Sequence, residues 1–324
     1  MTSPTWTRGS IDPAPRRTML TRRRTLAVAF AAAATMTAAA CVPPDSGGTT
    51  TTSTVSSADK TVTNATFEWT VSREVDNGAM NGQPNYWSAG QSDSTQGTYV
   101  ATNANATVLK KNAAGTYVAI GSDSAVSWAN RNKDGAGNNV TATNANYLGQ
   151  KVRYTGGTGT VNTTTGAATI QWSGTFTVNF YGPLVPFWIT DPKLTVTPNG
   201  SATLTARMGG FASSMDNPDV RVSLPTRDDV TIATFSDVYN GASIATGWTK
   251  APNYLGTAVT TSAQASPQVA STPTNAAYWG AWPQSFVDFQ NDTGLGSYWY
   301  TSGTSSIDAK KVQEPVSVAY VLAP

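Results

Sequence analysis

The thirteen residues from Ala168 to Phe180, "ATIQWSGTFTVNF", alternate apolar and polar side chains. Ile170, Trp172, Phe176, Val178 and Phe180 fall on one face, with Gly174 in step between them, while Gln171, Ser173, Thr175, Thr177 and Asn179 take the other. A repeat of two belongs to a β-strand with one buried and one wet face. The pattern predicts one strand over this stretch, with Gly174 marking a bulge or the close approach of another backbone.

A second stretch, "KLTVTPNGSATLTARM" (Lys193 to Met208), fixes a hairpin register. A two-residue Asn199-Gly200 loop would place Leu204 on the face opposite Val196. A three-residue loop, Pro198-Asn199-Gly200, pairs Val196 with Ala202 and Leu194 with Leu204, and so keeps the apolar side chains together. It also puts glycine at the left-handed turn position. Further strands are predicted at Ala125–Asn130, Lys151–Tyr154, Val220–Leu224, Val230–Ala233 and Val316–Leu322, the last with clean alternation of Val316, Val318, Tyr320 and Leu322. Trp282 to Gly294 reads as a helix, because Pro283 suits a first helical position, Gly294 lies past the end, and Phe286 and Phe289 share a face. Ser72 to Met80 is a weaker helix candidate.

The body of the chain is crowded with Thr, Asn, Gly, Val and aromatics, and poor in Glu, Lys and Leu. Strands and tight turns favour the first set, helices the second. With a single cysteine no disulfide can form within the chain. The reading is an all-β fold: an antiparallel sandwich- or barrel-like module with one or two short helices, occupying residues 61–324.

Residues 1–40 are predicted to be an export signal. Arg22, Arg23 and Arg24 form a positive head, Leu26 to Ala34 a weakly apolar stretch, and small residues precede Cys41. The apolar stretch is too short for a stable membrane span. Thr21 to Leu26 resembles a twin-arginine signal, although any basic head also suits the general secretory route; Met19 is a suitable start of translation. Ala38-Ala39-Ala40-Cys41 resembles a lipobox, which predicts lipidation of Cys41; the plain alternative is cleavage near Ala40. Two or more acyl chains suffice for stable anchoring. Residues 41–60 then form a Ser/Thr/Gly linker. The expected location is extracytoplasmic, tethered to the outer face of the cytoplasmic membrane or to the cell envelope.

The first forty residues hold six of the 21 basic residues and one of the 19 acidic ones, so residues 41–324 are acidic by three charges. That balance, with no Lys/Arg cluster, argues against a nucleic-acid partner. The chain has no histidine, which removes Ser-His-Asp and Cys-His catalysis and histidine-based zinc sites. Walker loops and nucleophile elbows are absent too. A non-enzymatic chain is predicted. The cluster "GSYWYTSG" (Gly296 to Gly303) has two readings, core packing and pocket lining; read as a strand, it points Tyr298 and Tyr300 one way and Trp299 the other.

Phe180-Tyr181-Gly182, then Thr190-Asp191-Pro192, then the Gly-containing turn Pro198-Asn199-Gly200 form a pattern that resembles the actinobacterial HtaA domain. "FEWTVS" (Phe67 to Ser72) is similar to that family's opening tryptophan segment, and the stretches "DDVTIATFSDV", "AYWGAWPQSFVDFQNDTGLGSYWYTSG" and "DAKKVQEPVSVAY" to the extended C-terminal part of its surface members. The resemblance covers most of residues 62–322. It implies a β-rich surface module for haem binding and iron acquisition, with haem or a haem-carrying protein as partner. The family's ligand tyrosine stands about nine residues after the opening tryptophan, near Gly78 here, and its supporting histidine corresponds to Pro183. The chain is thus read as a divergent member without the inherited ligands. Tyr86, Tyr181 and Tyr298 are the substitute candidates, with Arg73 as a cation beside an aromatic face. A phenol with an ordinary pKa of about 10 ligates ferric iron as phenolate, which a base, a cation or the metal must stabilise. Two readings therefore stand: a haem-binding module, and a structural or protein-interaction domain of the cell surface.

Overall fold

The computed structural model describes residues 58–79, 82–214, 217–303 and 306–323. The predicted export signal, Cys41 and the linker up to residue 57 lie outside the described residues. Thirteen strands are present among the described residues: β1 Asp59–Trp69, β2 Tyr86–Ala89, β3 Thr102–Asn103, β4 Ala106–Lys111, β5 Tyr117–Ala119, β6 Gln150–Asn162, β7 Ala168–Gln171, β8 Thr175–Phe180, β9 Val185–Val196, β10 Ala202–Ser214, β11 Asn217–Phe235, β12 Gly247–Lys250 and β13 Val316–Ala319. One α-helix, α1, spans Gln284–Thr293. The fold is all-β, an open antiparallel sheet in the order β11-β10-β9-β7-β6-β1-β13-β12, with β8 and β2 added beside β9 and β3 to β5 beside β6.

The hairpin register is the predicted one: Val196 lies opposite Ala202 and Leu194 opposite Leu204. The Thr197 carbonyl accepts the Gly200 N–H (2.9 Å), and Gly200 sits at φ +79°. Register also lines up the wet face. Thr61, Thr160, Thr169, Thr195, Thr203 and Thr234 stand opposite one another across β1, β6, β7, β9, β10 and β11. Directly opposed threonines support a sheet without burying apolar area.

The Ala168–Phe180 alternation is realised as two strands instead of one. β7 pairs with Lys193–Val196, β8 with Val185–Thr190, and Trp172-Ser173-Gly174 carries the chain between them. Asp191, at φ +50°, makes the matching break in β9; its carboxylate accepts the Gly174 N–H at 2.8 Å. Gly174 (φ +123°) is where another backbone comes close, as expected: a Cβ there would lie 2.5 Å from the Asn103 carbonyl oxygen. The apolar face is buried throughout. The other face of β8 is not wet. Thr177 and Asn179 are fully buried because the segment after β2 folds over them. Thr177 donates to the Gly90 carbonyl (2.6 Å) and accepts from Ser92 N (3.0 Å), while Ser94 Oγ donates to Asn179 Oδ1 (2.7 Å). Alternation reports a change of chemistry from face to face; here the polar face meets protein.

Two other expectations are corrected. Ala125–Asn130 is not a strand but lies in two 3-10 turns, Ser124–Val126 and Trp128–Asn130, because the Asp123 carboxylate accepts the N–H groups of Ala125 and Val126 and starts a turn. Ser72–Met80 is not a helix over its described part. Its backbone groups pair with distant segments: Ser72 bridges Gln313, Glu74 N–H reaches Lys310 O (2.8 Å), and Asp76 O receives Leu148 N–H (2.8 Å). Val220–Leu224 and Val230–Ala233 are parts of the single strand β11. In α1 the proline is the cap residue, not the first helical one, and Gly294 closes the helix in the left-handed conformation at φ 86°.

Aromatic rings fill the centre. Trp69 meets Trp282 (5.5 Å between centroids), Trp282 stacks on Phe286 (4.5 Å), and Trp299 stands edge-on to both (4.9 and 4.8 Å). The "GSYWYTSG" cluster is a 3-10 turn (Gly296–Trp299) followed by an extended residue. Trp299 and Tyr300 are fully buried, whereas Tyr298 is half-buried and turns to a cavity. The cluster is therefore core at two rings and cavity wall at the third. Among the described residues no helix is long and apolar enough to cross a membrane.

Candidate functional site

The cavity lies between the 74–85 segment, the turn after β8, and residues 297–311, and has a volume of about 270 Å³. Its walls are set by backbone devices. Tyr181 adopts φ 56°, and its N–H donates to Asn85 Oδ1 at 2.8 Å; Gly182 comes next at φ 65° and donates to the Pro84 carbonyl at 2.9 Å. This double left-handed turn brings the Tyr181 phenol to the Tyr298 phenol. The two hydroxyls are hydrogen-bonded to each other, and both rings stand edge-on to Phe180 at 5.2 and 5.3 Å.

Across from them sit two acid–base sets of different character. Asp308 and Lys311 form a buried ion pair at 2.8 Å. Lys311 Nζ also donates to Ser297 O (2.8 Å), Tyr300 O (3.1 Å) and Ser302 Oγ (2.7 Å), and Asp308 Oδ2 accepts Ser302 N–H (2.9 Å) and Gly303 N–H (2.7 Å). Both charges are saturated, as a buried pair requires. Glu74 and Lys310 are not. Lys310 Nζ makes one hydrogen bond, to Ala142 O (2.7 Å), an oxygen that also accepts Asn77 Nδ2 (3.2 Å). The Glu74 carboxylate makes no hydrogen bond or ion pair among the described residues, and Asn77 Oδ1 is buried without a partner. Burial raises the Glu74 pKa, against the pull of Lys311 and Lys310, and burial lowers that of Lys310, against Glu74.

Of the predicted site residues, only Tyr181 and Tyr298 meet. Tyr86 is a core residue at 2 % exposure: its hydroxyl donates to Ser94 O (2.8 Å), and its ring closes a triangle with Tyr99 and Trp128. Burial pushes its pKa up to about 12. Arg73 is exposed, pairs with Glu314 at 3.0 Å and lies over the Tyr147 ring at 5.6 Å, in a separate shallow depression. Glu74 and Asn77 stand in the stretch that reads as a weak helix and Lys310 in one that carries the resemblance, and neither reading marks a site. The signal available was charge in both segments, Arg73, Glu74 and Asp76 in one and Asp308, Lys310, Lys311 and Glu314 in the other.

As a haem-iron ligand set these residues do not fit. Gly78, the position counted for the family's tyrosine, lines the same cavity, but a Cβ there would lie 2.6 Å from Thr141 Cα and from the Val140 carbonyl oxygen. Backbone fills the space such a side chain needs. Pro183 instead offers its carbonyl to Arg221 (3.1 Å). The Tyr181 and Tyr298 hydroxyls share one hydrogen bond, and both pKa values are raised, first by burial and further by the Glu74 charge. That is the opposite of what a phenolate needs. Among the described residues no three acidic or cysteine side chains converge as a metal site.

The shallow depression holds one more titratable group. The Asp76 carboxylate accepts Gly149 N–H (3.0 Å), Gln150 N–H (2.8 Å) and Gln150 Nε2 (3.3 Å), tying the 71–79 segment to the start of β6. Burial outweighs these donors and lifts its pKa from 3.8 to about 7. A carboxyl raised on folding contributes stability that is fully present below its unfolded value and is lost as pH rises through its folded value. Urea unfolding should therefore show a lower stability at about pH 7.5 than at about pH 5, with Asp76→Asn flattening that difference. Equal slopes for both proteins would contradict it.

No family model matches the chain, and no curated protein matches it. Among solved structures the chain shows a distant likeness to the C-terminal domain of HtaA from Corynebacterium glutamicum, with 14% identity, coverage of 82% of this chain and 99% of that domain, and a TM-score of 0.35.

Proposed function

We propose that this chain is an extracytoplasmic, lipid-anchored and non-enzymatic binding module, related in type to HtaA domains, whose cavity takes a small polar ligand in place of haem. The observation that carries the reading is at residue 78: the 140–141 backbone lies against Gly78, near the position counted for the family's tyrosine, leaving a cavity of about 270 Å³ whose walls are part polar and part apolar. That is below the roughly 300–1,000 Å³ of pockets for drug-sized ligands, and it does not suit a porphyrin. The anchor is inferred from the Cys41 context and the extracytoplasmic location from the export signal. An interaction domain of the cell surface is the second reading, favoured by Val220 and Val222, which are 51% and 59% exposed on the outer strand β11.

Titrating hemin into the purified protein tests the main reading. The Soret band is expected to stay that of free hemin. A shifted band with a charge-transfer feature that disappears in Tyr298→Phe or Tyr181→Phe would overturn it.

A further inference from the structure

Two opposite charges line the cavity without neutralising each other. Glu74 and Lys310 are joined through the backbone, Glu74 N–H to Lys310 O, yet their side chains form no ion pair. The neighbouring Asp308 and Lys311 show what saturation looks like in the same wall: every charge has its partner and its hydrogen bonds. Among the described residues Glu74 retains its whole acceptor capacity, and Lys310 retains two of three N–H donors. Both groups are half-buried and face the cavity, so whatever fills it completes their hydrogen bonds.

We infer that the cavity is a site for a small zwitterion of the free amino-acid class, its ammonium held by Glu74 and its carboxylate by Lys310. The inference rests on the reading of the cavity as a haem-free ligand site and specifies what that ligand is. A monocation would complete Glu74 and leave Lys310 unpaired, and a monoanion would do the reverse. A ligand carrying both charges restores both groups at once and adds no net charge to a cavity whose four ionisable walls already balance. Asn77 lies in the same wall; it is only 3% exposed, and its Oδ1 has no partner among the described residues. In the Tyr181–Tyr298 pair one hydroxyl hydrogen joins the two rings, which leaves the other to donate to a carboxylate. The volume of about 270 Å³ sets the size at that of an amino acid.

Calorimetric titration with glycine and L-alanine, against methylammonium and acetate as single-charge probes, tests this on the lipid-free mature chain. The amino acids are expected to bind saturably, and each single-charge probe at least about tenfold more weakly, the equivalent of about 1.4 kcal/mol. Glu74→Gln and Lys310→Met should each lower amino-acid affinity at least about tenfold with the melting temperature retained. Methylammonium binding as tightly as glycine would make this a cation site, and acetate binding as tightly an anion site. Either result overturns the inference, as does silence from all four probes. Hemin is titrated into the same preparation. A Soret response there removes the haem-free reading, whereas silence there with no amino-acid binding removes only the zwitterion.

Discussion

Replacing Trp299 with alanine is expected to remove about 3–5 kcal/mol of folding stability, the range for a large aromatic deleted from a packed core. Trp299 is fully buried and touches four rings from three parts of the chain: Trp282 and Phe286 at the helix, Phe187 on β9 and Phe180 on β8. Deleting it opens a void that no single neighbour can fill, because Phe180 and Phe187 are held by their strands, Phe286 by α1 and Trp282 by its indole bond to Lys311 O. Its indole N–H is buried without a hydrogen-bond partner, so Trp299→Phe removes an unpaired donor along with some volume. That variant should cost less than about 1.5 kcal/mol. Urea midpoints at constant m-value read both numbers. A loss below about 1 kcal/mol for the alanine variant would show that the cluster is not the keystone of the core.

Gly78→Tyr carries the second large effect. Tyrosine at this position is the substitution that would supply a phenol to the cavity. Here the first side-chain carbon already meets the Thr141 and Val140 backbone at 2.6 Å, and backbone does not step aside cheaply. The variant is expected to lose at least about 1–3 kcal/mol, the usual range for overpacking, and to leave the hemin spectrum unchanged. A thermal melt and a hemin titration on one preparation decide it. Wild-type stability together with a new Soret band would mean that the 140–142 segment yields readily and that the cavity is convertible to haem.

The elements legible in the sequence are those whose partners lie close along the chain. The 193–208 hairpin could be derived to the residue because one choice of loop kept Leu194, Val196, Ala202 and Leu204 on a common face. The helix could be read from Pro283, Gly294 and the Phe286/Phe289 spacing because helical signals are local. The break at Gly174 was visible as a glycine, but its consequence was not: the chain divides into two strands because Asp191, on the neighbouring strand, folds with it. The buried polar face of β8 was illegible for the same reason, since nothing in Thr177 or Asn179 announces that Gly90, Ser92 and Ser94 will cover them. The candidate site divides in the same way. Tyr181 and Tyr298 stood out as aromatics within family-like stretches. Glu74 and Lys310 acquire meaning only because, among the described residues, neither has an ion-pair partner, a property of three-dimensional neighbours that no spacing encodes.

The position of β1 has a kinetic consequence. Its flanks are β6 on one side and β13 on the other, with Trp69 opposite both Val152 and Val316. The first strand of the sheet therefore waits for the last, and a ribosome must release residue 319 before this seam can close. Contacts of such long sequence separation slow folding and prolong the exposure of unpaired edges. During that interval Phe67 and Trp69 lack Val318 and Val316, their partners on β13.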